Sequence, residues 1–372
     1  MRFNSELCVN LDLLKENIEK VQNLAPSNKI IFMVKGDAYG HGLLEISRYA
    51  FLDHGIDHFG VASIGEALIL KKTLPQTKIY VFSDIQMDRF TDEYFHEGVV
   101  PVISNFLDLE CFISHELFKD HPFCLKFNTG MNRLGFDKDD LGEVKKILIK
   151  YNCSSIHHLM THFSHSFFKI KEGDKTTKQY ELFCEIKSKL SMDFKILESS
   201  VSNSGAIEQE FGLGETHIRP GIMLYGPASI GGYKKEPRMW TGKIISSLKT
   251  KIMAIRAVKR GEPVGYGGHI AHKEGLILIL PLGYADGVLT YYSGLKFKHK
   301  GFDAKILGRV NMDLTLVHID CNDESQFTIG EDFIFWDESQ ERMLDFCTQV
   351  KTIPYQVFTA ITSRVPRKYY DK

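Results

Sequence analysis

No CxxC pair occurs in this 372-residue chain, and its seven cysteines (Cys8, Cys111, Cys124, Cys153, Cys184, Cys321 and Cys347) are odd in number and widely scattered. That pattern indicates neither a disulfide framework nor a zinc site, and it fits a reducing compartment. Long apolar runs are missing as well. No segment approaches the about 18 continuous apolar residues of a membrane helix, and residues 1–8 lack an apolar signal core, so a cytoplasmic protein is expected. An excess of either charge is missing: a net charge of −1 and a pI of about 6.9 leave no field to attract nucleic acid or an anionic membrane. Internal repeats and low-complexity tracts are absent too. What is present, 43% hydrophobic and 25% charged residues, is the composition of an ordinary globular protein, for which small-molecule chemistry is the default.

The most informative stretch runs from Ile30 to Gly42. Here Lys35 ends a wholly apolar run (Ile30-Ile31-Phe32-Met33-Val34) ahead of a glycine-punctuated turn. The run reads as a parallel strand buried on both faces, which places the lysine at the strand's carboxyl end, where α/β enzymes carry their chemistry. A partly desolvated amine there has a lowered pKa and suits Schiff-base chemistry with a carbonyl or with pyridoxal phosphate (PLP). A lysine snorkelling to solvent is the plain alternative.

From residue 9 to about 230, short apolar runs alternate with amphipathic stretches such as Gly65–Leu74 and Leu141–Tyr151, the βα signature of a parallel sheet. Strands are expected at 30–34, 58–63, 78–82, 99–103, 123–128, 156–161, 195–200 and 216–219. Eight βα units in about 220 residues point to a (β/α)8 barrel rather than an open sheet. A turn-rich, charged boundary at 231–237 precedes β-leaning runs at Ile244–Ser247, Leu276–Leu280, Ala304–Leu307 and Asp332–Trp336. The expected division is therefore a barrel at 9–232 and a mostly β domain at 233–372.

Val34-Lys35-Gly36-Asp37-Ala38-Tyr39-Gly40-His41-Gly42 resembles the PLP-attachment motif of alanine racemases. Lys126-Phe127-Asn128-Thr129-Gly130-Met131-Asn132-Arg133-Leu134-Gly135, Thr161-His162-Phe163, Ile218–Gly226, Val264-Gly265-Tyr266-Gly267, Pro281–Gly287, Gly308–Asp313 and Arg364-Val365-Pro366-Arg367 follow in that family's order. Eight such strings over nearly the whole chain make the resemblance specific. It implies a PLP-dependent isomerase that interconverts L- and D-alanine, supplying D-alanine for peptidoglycan, with residues 1–8 joining the C-terminal domain.

The resemblance also assigns roles. Lys35 holds PLP and acts as one acid–base group, while Tyr266, supplied by the partner subunit of a homodimer, is the other, serving the opposite face of the substrate Cα. Tyr39, Ser204, Gly221, Ile222 and Tyr355 bind the phosphate. Asn203 opens the helix that carries Ser204, at the end of the barrel where phosphates bind. His162 packs on the ring and Arg219 faces the pyridine nitrogen. A guanidinium there donates a hydrogen bond and leaves that nitrogen unprotonated, which weakens the electron sink and favours proton removal and return over side reactions. Arg133 and the Met312 backbone bind the substrate carboxylate, a bidentate arginine pairing in the first case. Lys126 matches a position often carbamylated. Two residues depart from the family: Asn128 stands where aspartate is usual, and Asn311 replaces the common cysteine or serine, which bears on side-chain specificity.

Four other readings compete. His157-His158-Leu159-Met160-Thr161-His162-Phe163-Ser164-His165 has metal-ligand residues but no carboxylate, and only alternate strand residues share a face, so no metal site is expected. A barrel-only PLP carrier lacks the second domain and Tyr266. Another PLP enzyme of this fold, a decarboxylase or a D-amino-acid aldolase, is argued against by the paired Tyr266 and Met312 motifs, whereas a serine or broad-specificity racemase stays open. A dinucleotide-binding reading fails because GxGxxG is incomplete at Gly40-His41-Gly42.

Overall fold

The computed structural model of the chain describes residues 4–229 and 239–371. The expected boundary at 231–237 falls outside the described residues.

Eight strands close into a parallel barrel: β2 (Lys29–Met33), β3 (His58–Ser63), β4 (Lys78–Asp84), β5 (Val100–Ile103), β6 (Cys124–Lys126), β7 (Ser155–Met160), β8 (Lys195–Asn203) and β9 (His217–Arg219). Each expected barrel strand is present, with ends displaced by at most three residues and His58–Ser63 matched at both ends. Closure rests on β9 pairing with β2, His217 opposite Lys29 and Ile218 opposite Ile30. Several of the connecting helices begin on side-chain caps. Ser63 Oγ accepts from the Glu66 N–H ahead of helix Ile64–Thr73, and Asp174 accepts from Thr176 and Thr177 ahead of Lys175–Leu190. Helical spacing on Leu11–Leu24 puts Leu13, Leu14, Ile18 and Val21 on the buried face.

After the barrel come β10 (Ser246–Lys251), β11 (Ala254–Val258), β12 (Pro263–Val264), β13 (His269–Ile270), β14 (Gly275–Leu280), β15 (Lys296–His299), β16 (Phe302–Ile306), β17 (Thr315–Ile319), β18 (Asp332–Trp336) and β19 (Arg367–Tyr370). They form a separate, mostly sheet C-terminal domain. The chain's first strand, β1 (Ser5–Asn10), lies inside that domain's four-stranded sheet of order β18-β10-β1-β19. It is antiparallel to β10 and parallel to β19. The run expected at Ile244–Ser247 is a strand only from Ser246 but continues to Lys251. Its alternate residues Leu248 and Thr250 are buried against partners on both sides, while Lys249 and Lys251 interrupt the apolar pattern. Among the described residues no helix is long and apolar enough to cross a membrane.

Candidate active site

Lys35 stands at the carboxyl end of β2, and beyond it the chain coils left-handed: Gly36, Asp37, Ala38 and Tyr39 have φ of 64°, 55°, 51° and 53°. Such a conformation costs about 1–2 kcal/mol for each residue with a Cβ, so three of them in a row persist only because their surroundings impose it. On the barrel side the Glu66 carboxylate accepts from the Gly36 N–H at 2.7 Å and the Ala62 N–H at 2.8 Å. The Asp37 carboxylate in turn accepts from the Leu43 N–H at 2.8 Å, where the next helix starts. This coil brings Lys35 and Tyr39 to one cleft of about 370 Å³ at the barrel's mouth.

Lys126, Arg133, His162, Asn203, Ser204, Arg219, Gly221, Ile222 and Tyr355 line the same cleft, so the structure brings together every barrel residue given a cofactor or substrate role by the resemblance, and Tyr355 from the second domain with them. Lys35, Lys126, Arg133 and Arg219 supply four basic groups, and no carboxylate is among the described lining residues. Burial, helped by Arg133, lowers the Lys35 pKa. Burial with Arg133 and Arg219 pushes Lys126 down to about 8. His162 is held well below its ordinary value by burial and by Arg219, hence neutral. A neutral amine fraction inside a cationic, partly dry cleft is the condition for nucleophilic chemistry on an anionic ligand.

At one end of the cleft the Gly221 N–H donates to Ser204 Oγ at 2.9 Å, and Asn203 Oδ1 accepts from the Ala206 N–H at 3.3 Å, fixing the short helix Ser204–Ile207. A Cβ on Gly221 would come within 2.5 Å of Tyr39 Oη, so only glycine leaves this cradle open. The Tyr39 ring is held between Tyr225 at 4.7 Å and Tyr355 at 5.8 Å. Deeper in, Arg219 is buried and pushed down to about 10, so it remains a cation at neutral pH. Its Nη1 donates to Ser200 Oγ, and its Nη2 to the carbonyls of Thr161 at 2.6 Å and Val201 at 3.1 Å. Those bonds fix the guanidinium plane and leave Nε–H without a partner among the described residues.

Sequence reasoning missed Glu66, Ser166 and Ser200. Ser166 lines the cleft and donates to Asn203 Oδ1 at 2.6 Å, and Ser200 seats Arg219. Only Glu66 carried a signal, as an acid in the first turn of a helix after an N-cap serine.

Tyr266 and Met312 are not brought to this cleft. Tyr266 is 72% exposed between Gly265 and Gly267, both at positive φ, in the turn joining β12 to β13; Met312 is 53% exposed. The histidine string divides: His162 faces the cleft, whereas His157 and His158 reach Glu198 on β8 at the opposite end of the barrel. There His58, Glu198 and His217 offer ligand atoms within 4.8 Å of one another. Lys78 Nζ already donates to both Glu198 oxygens, at 3.0 and 3.1 Å, so the cluster is neutralised from within.

A closed barrel whose mouth gathers three basic side chains around a half-buried lysine marks a barrel enzyme with a cleft suited to anionic small molecules. The description "Alanine racemase, N-terminal domain" matches residues 9–229, and "Alanine racemase, C-terminal domain" matches residues 245–369. The chain belongs to the alanine racemase family, a family of isomerases. It is 33% identical to the alanine racemase of Thermodesulfovibrio yellowstonii over 97% of this chain and 96% of that one. It is similar to the crystal structure of biosynthetic alanine racemase from Pseudomonas aeruginosa, with a TM-score of 0.85 and 27% identity over the full length of both. The fold is also that of an alanine racemase from Bartonella henselae, described with covalently bound pyridoxal phosphate (TM-score 0.86, 22% identity, 99% of this chain and all of that one).

Proposed function

We propose that this chain is a PLP-dependent alanine racemase, a cytoplasmic homodimer that uses Lys35 of one subunit and Tyr266 of the partner subunit to interconvert L- and D-alanine, and that its D-alanine serves peptidoglycan synthesis. The observation that carries the reading is the convergence of Lys35, Tyr39, Ser204 and Arg219 on one cleft with no carboxylate among its described lining residues, while Tyr266 stands exposed on the other domain. The division that goes with it is a barrel at 9–232 and a C-terminal domain at 233–372 that includes residues 1–8. Seven free thiols fit a reducing compartment.

The residues present fit the cofactor. The glycine-lined cradle of Tyr39, Ser204, Gly221, Ile222 and Tyr355, opened by Asn203, suits a phosphate. When bound, PLP supplies an aldehyde for the substrate amine and a ring that draws electrons from its Cα. Lys35 Nζ, its pKa lowered, takes or returns the Cα proton on one face, and Tyr266 does so on the other. Arg219 would offer Nε–H to the ring nitrogen and, being a cation, would give up no proton; His162 would pack on the ring. Arg133 and the Met312 backbone hold the substrate carboxylate.

A racemase that also accepts serine is the second reading. It is favoured by Asn311, beside Met312, whose Oδ1 is a buried acceptor with no partner among the described residues. The test of the first reading is borohydride reduction of PLP-loaded protein with peptide mapping, followed by chiral analysis of L-alanine and L-serine incubations. Label on Lys35 with formation of D-alanine is expected; label on another lysine, or no D-alanine, refutes it.

A further inference from the structure

Two motifs that the proposed chemistry leaves unused, Gly40-His41-Gly42 and Arg364-Val365-Pro366-Arg367, meet in space. Arg367, on β19 of the C-terminal domain, donates from Nε to the Gly40 carbonyl at 3.0 Å. Its other nitrogens donate to the carbonyls of Ile361 (2.8 Å), Thr362 (2.7 Å) and Val365 (2.9 Å), and Nη2 lies 3.7 Å from the Asp37 carboxylate. Two positions further along the strand, Tyr369 Oη donates to the His41 carbonyl at 2.8 Å. The fit is close: a Cβ on Gly40 would fall 2.2 Å from the Phe358 carbonyl oxygen, and one on Gly42 only 1.8 Å from Tyr369 Oη.

The left-handed coil therefore has two anchors. Glu66 holds its entry from within the barrel, while Arg367 and Tyr369 hold its exit from the other domain. Lys35 and Tyr39 lie at the two ends of that coil, and both line the cleft. A conformation that its own residues disfavour relaxes when an anchor is removed, and relaxation displaces the amine and the phenol together.

We propose that Arg367 and Tyr369 are positioning residues: the last strand of the C-terminal domain clamps the Gly40–His41 exit and so presets Lys35 and Tyr39 for the phosphate-bearing cofactor. The proposal rests on the reading of the cleft as a PLP site. Its test titrates cofactor-stripped wild-type, Arg367→Lys and Tyr369→Phe full-length proteins with PLP, alongside Tyr370→Phe as control. Tyr370 is on the same strand, but its hydroxyl donates to Glu338, away from the coil. Arg367→Lys, which cannot span four carbonyls, is expected to weaken PLP binding about tenfold or more, and Tyr369→Phe several-fold. After saturation with PLP, kcat falls while KM for alanine stays within about twofold, since Arg133 is untouched. Tyr370→Phe binds PLP as the wild type does. If wild-type protein binds PLP at Lys35 but Tyr369→Phe and any folded Arg367→Lys match it, or if Tyr370→Phe loses as much affinity, the clamp is refuted. Should Arg367→Lys fail to fold, Tyr369→Phe decides alone. Wild-type protein that binds no PLP refutes the cofactor reading and the clamp with it.

Discussion

The Asn128 side-chain amide donates to the Asp137 carboxylate at 2.7 Å, which gives a physical reason for an amide where the family usually has aspartate. The same side chain spans the loop that carries Arg133. Its Oδ1 accepts from the N–H groups of Gly130 at 3.1 Å and Asn132 at 2.9 Å, and its Nδ2 also donates to Asn132 Oδ1 at 3.0 Å. An aspartate could keep the two backbone bonds but would set a second negative charge against Asp137.

Asn128→Asp is therefore expected to disturb the Arg133 loop and raise KM for alanine several-fold, with a smaller effect on kcat, because the arginine is placed in substrate binding. The double variant Asn128→Asp/Asp137→Asn restores the donor–acceptor pair with its polarity reversed and should recover most of the loss. Steady-state kinetics of the three proteins check this. An unchanged KM in the single variant removes the loop from substrate recognition.

Much of the barrel was legible because a parallel strand under helices must be apolar on both faces, so runs such as Ile30–Val34 announce themselves. The coil after Lys35 was not. Glycines at 36, 40 and 42 signal a turn, but nothing in Asp37-Ala38-Tyr39 forecasts positive φ, since the groups that impose it, Glu66, Arg367 and Tyr369, are remote in sequence. The partner of the histidine string was hidden in a similar way. It lacks a carboxylate of its own, yet Glu198, on the neighbouring strand, sits 3.2 Å from His158 Nδ1. Ser200, which joins Arg219 to His158, is one serine among many in the sequence and carries no motif.

Arg219→Glu replaces a fixed cationic donor at the floor of the cleft by a group that can itself carry a proton to the ring nitrogen. Racemisation should slow on the order of 10²-fold, the usual cost of losing a preorganised donor. Pyruvate formation from alanine, the mark of transamination, should rise relative to racemisation, because a protonated ring is a stronger electron sink. The ratio of pyruvate to D-alanine, measured on one sample, is the decisive quantity; a ratio equal to that of the wild type shows that Arg219 does not govern the ring.

Acid should destabilise this fold over a defined range. Burial pushes His41 and His158 down to about 4 from an ordinary 6.5, so both are neutral when folded. The unfolded chain binds more protons between those values. Stability is therefore full above about pH 6.5 and is lost as pH falls toward 4, by at most about 1.4 kcal/mol per pH unit for each histidine. Glu198 acts in the same direction at lower pH. Burial alone would raise its pKa, but His158 and Lys78 hold it well below the usual carboxylate range, so its contribution is lost only below about 4.5. Denaturant midpoints measured across pH 4–7 should show this slope, and His158→Gln should flatten it. A wild-type midpoint independent of pH in that range contradicts the neutral, buried state of these histidines.

Lys35 lies in the barrel cleft and Tyr266 on an exposed turn of the C-terminal domain, so a complete site in the proposed dimer draws on two chains. Tyr266→Phe should retain PLP and lose about 10²–10⁴-fold in racemisation, the range for a positioned acid–base group, while Lys35→Ala should be inactive. Mixing the two inactive proteins under subunit exchange then regenerates wild-type sites. Random pairing of equal amounts makes about half the dimers mixed, each with one intact site, and activity should return to roughly a quarter of the wild-type level. Differentially tagged subunits establish that mixed dimers have formed. Mixed dimers that stay inactive would place Tyr266 with the Lys35 of its own chain, and the shared-site arrangement would be wrong.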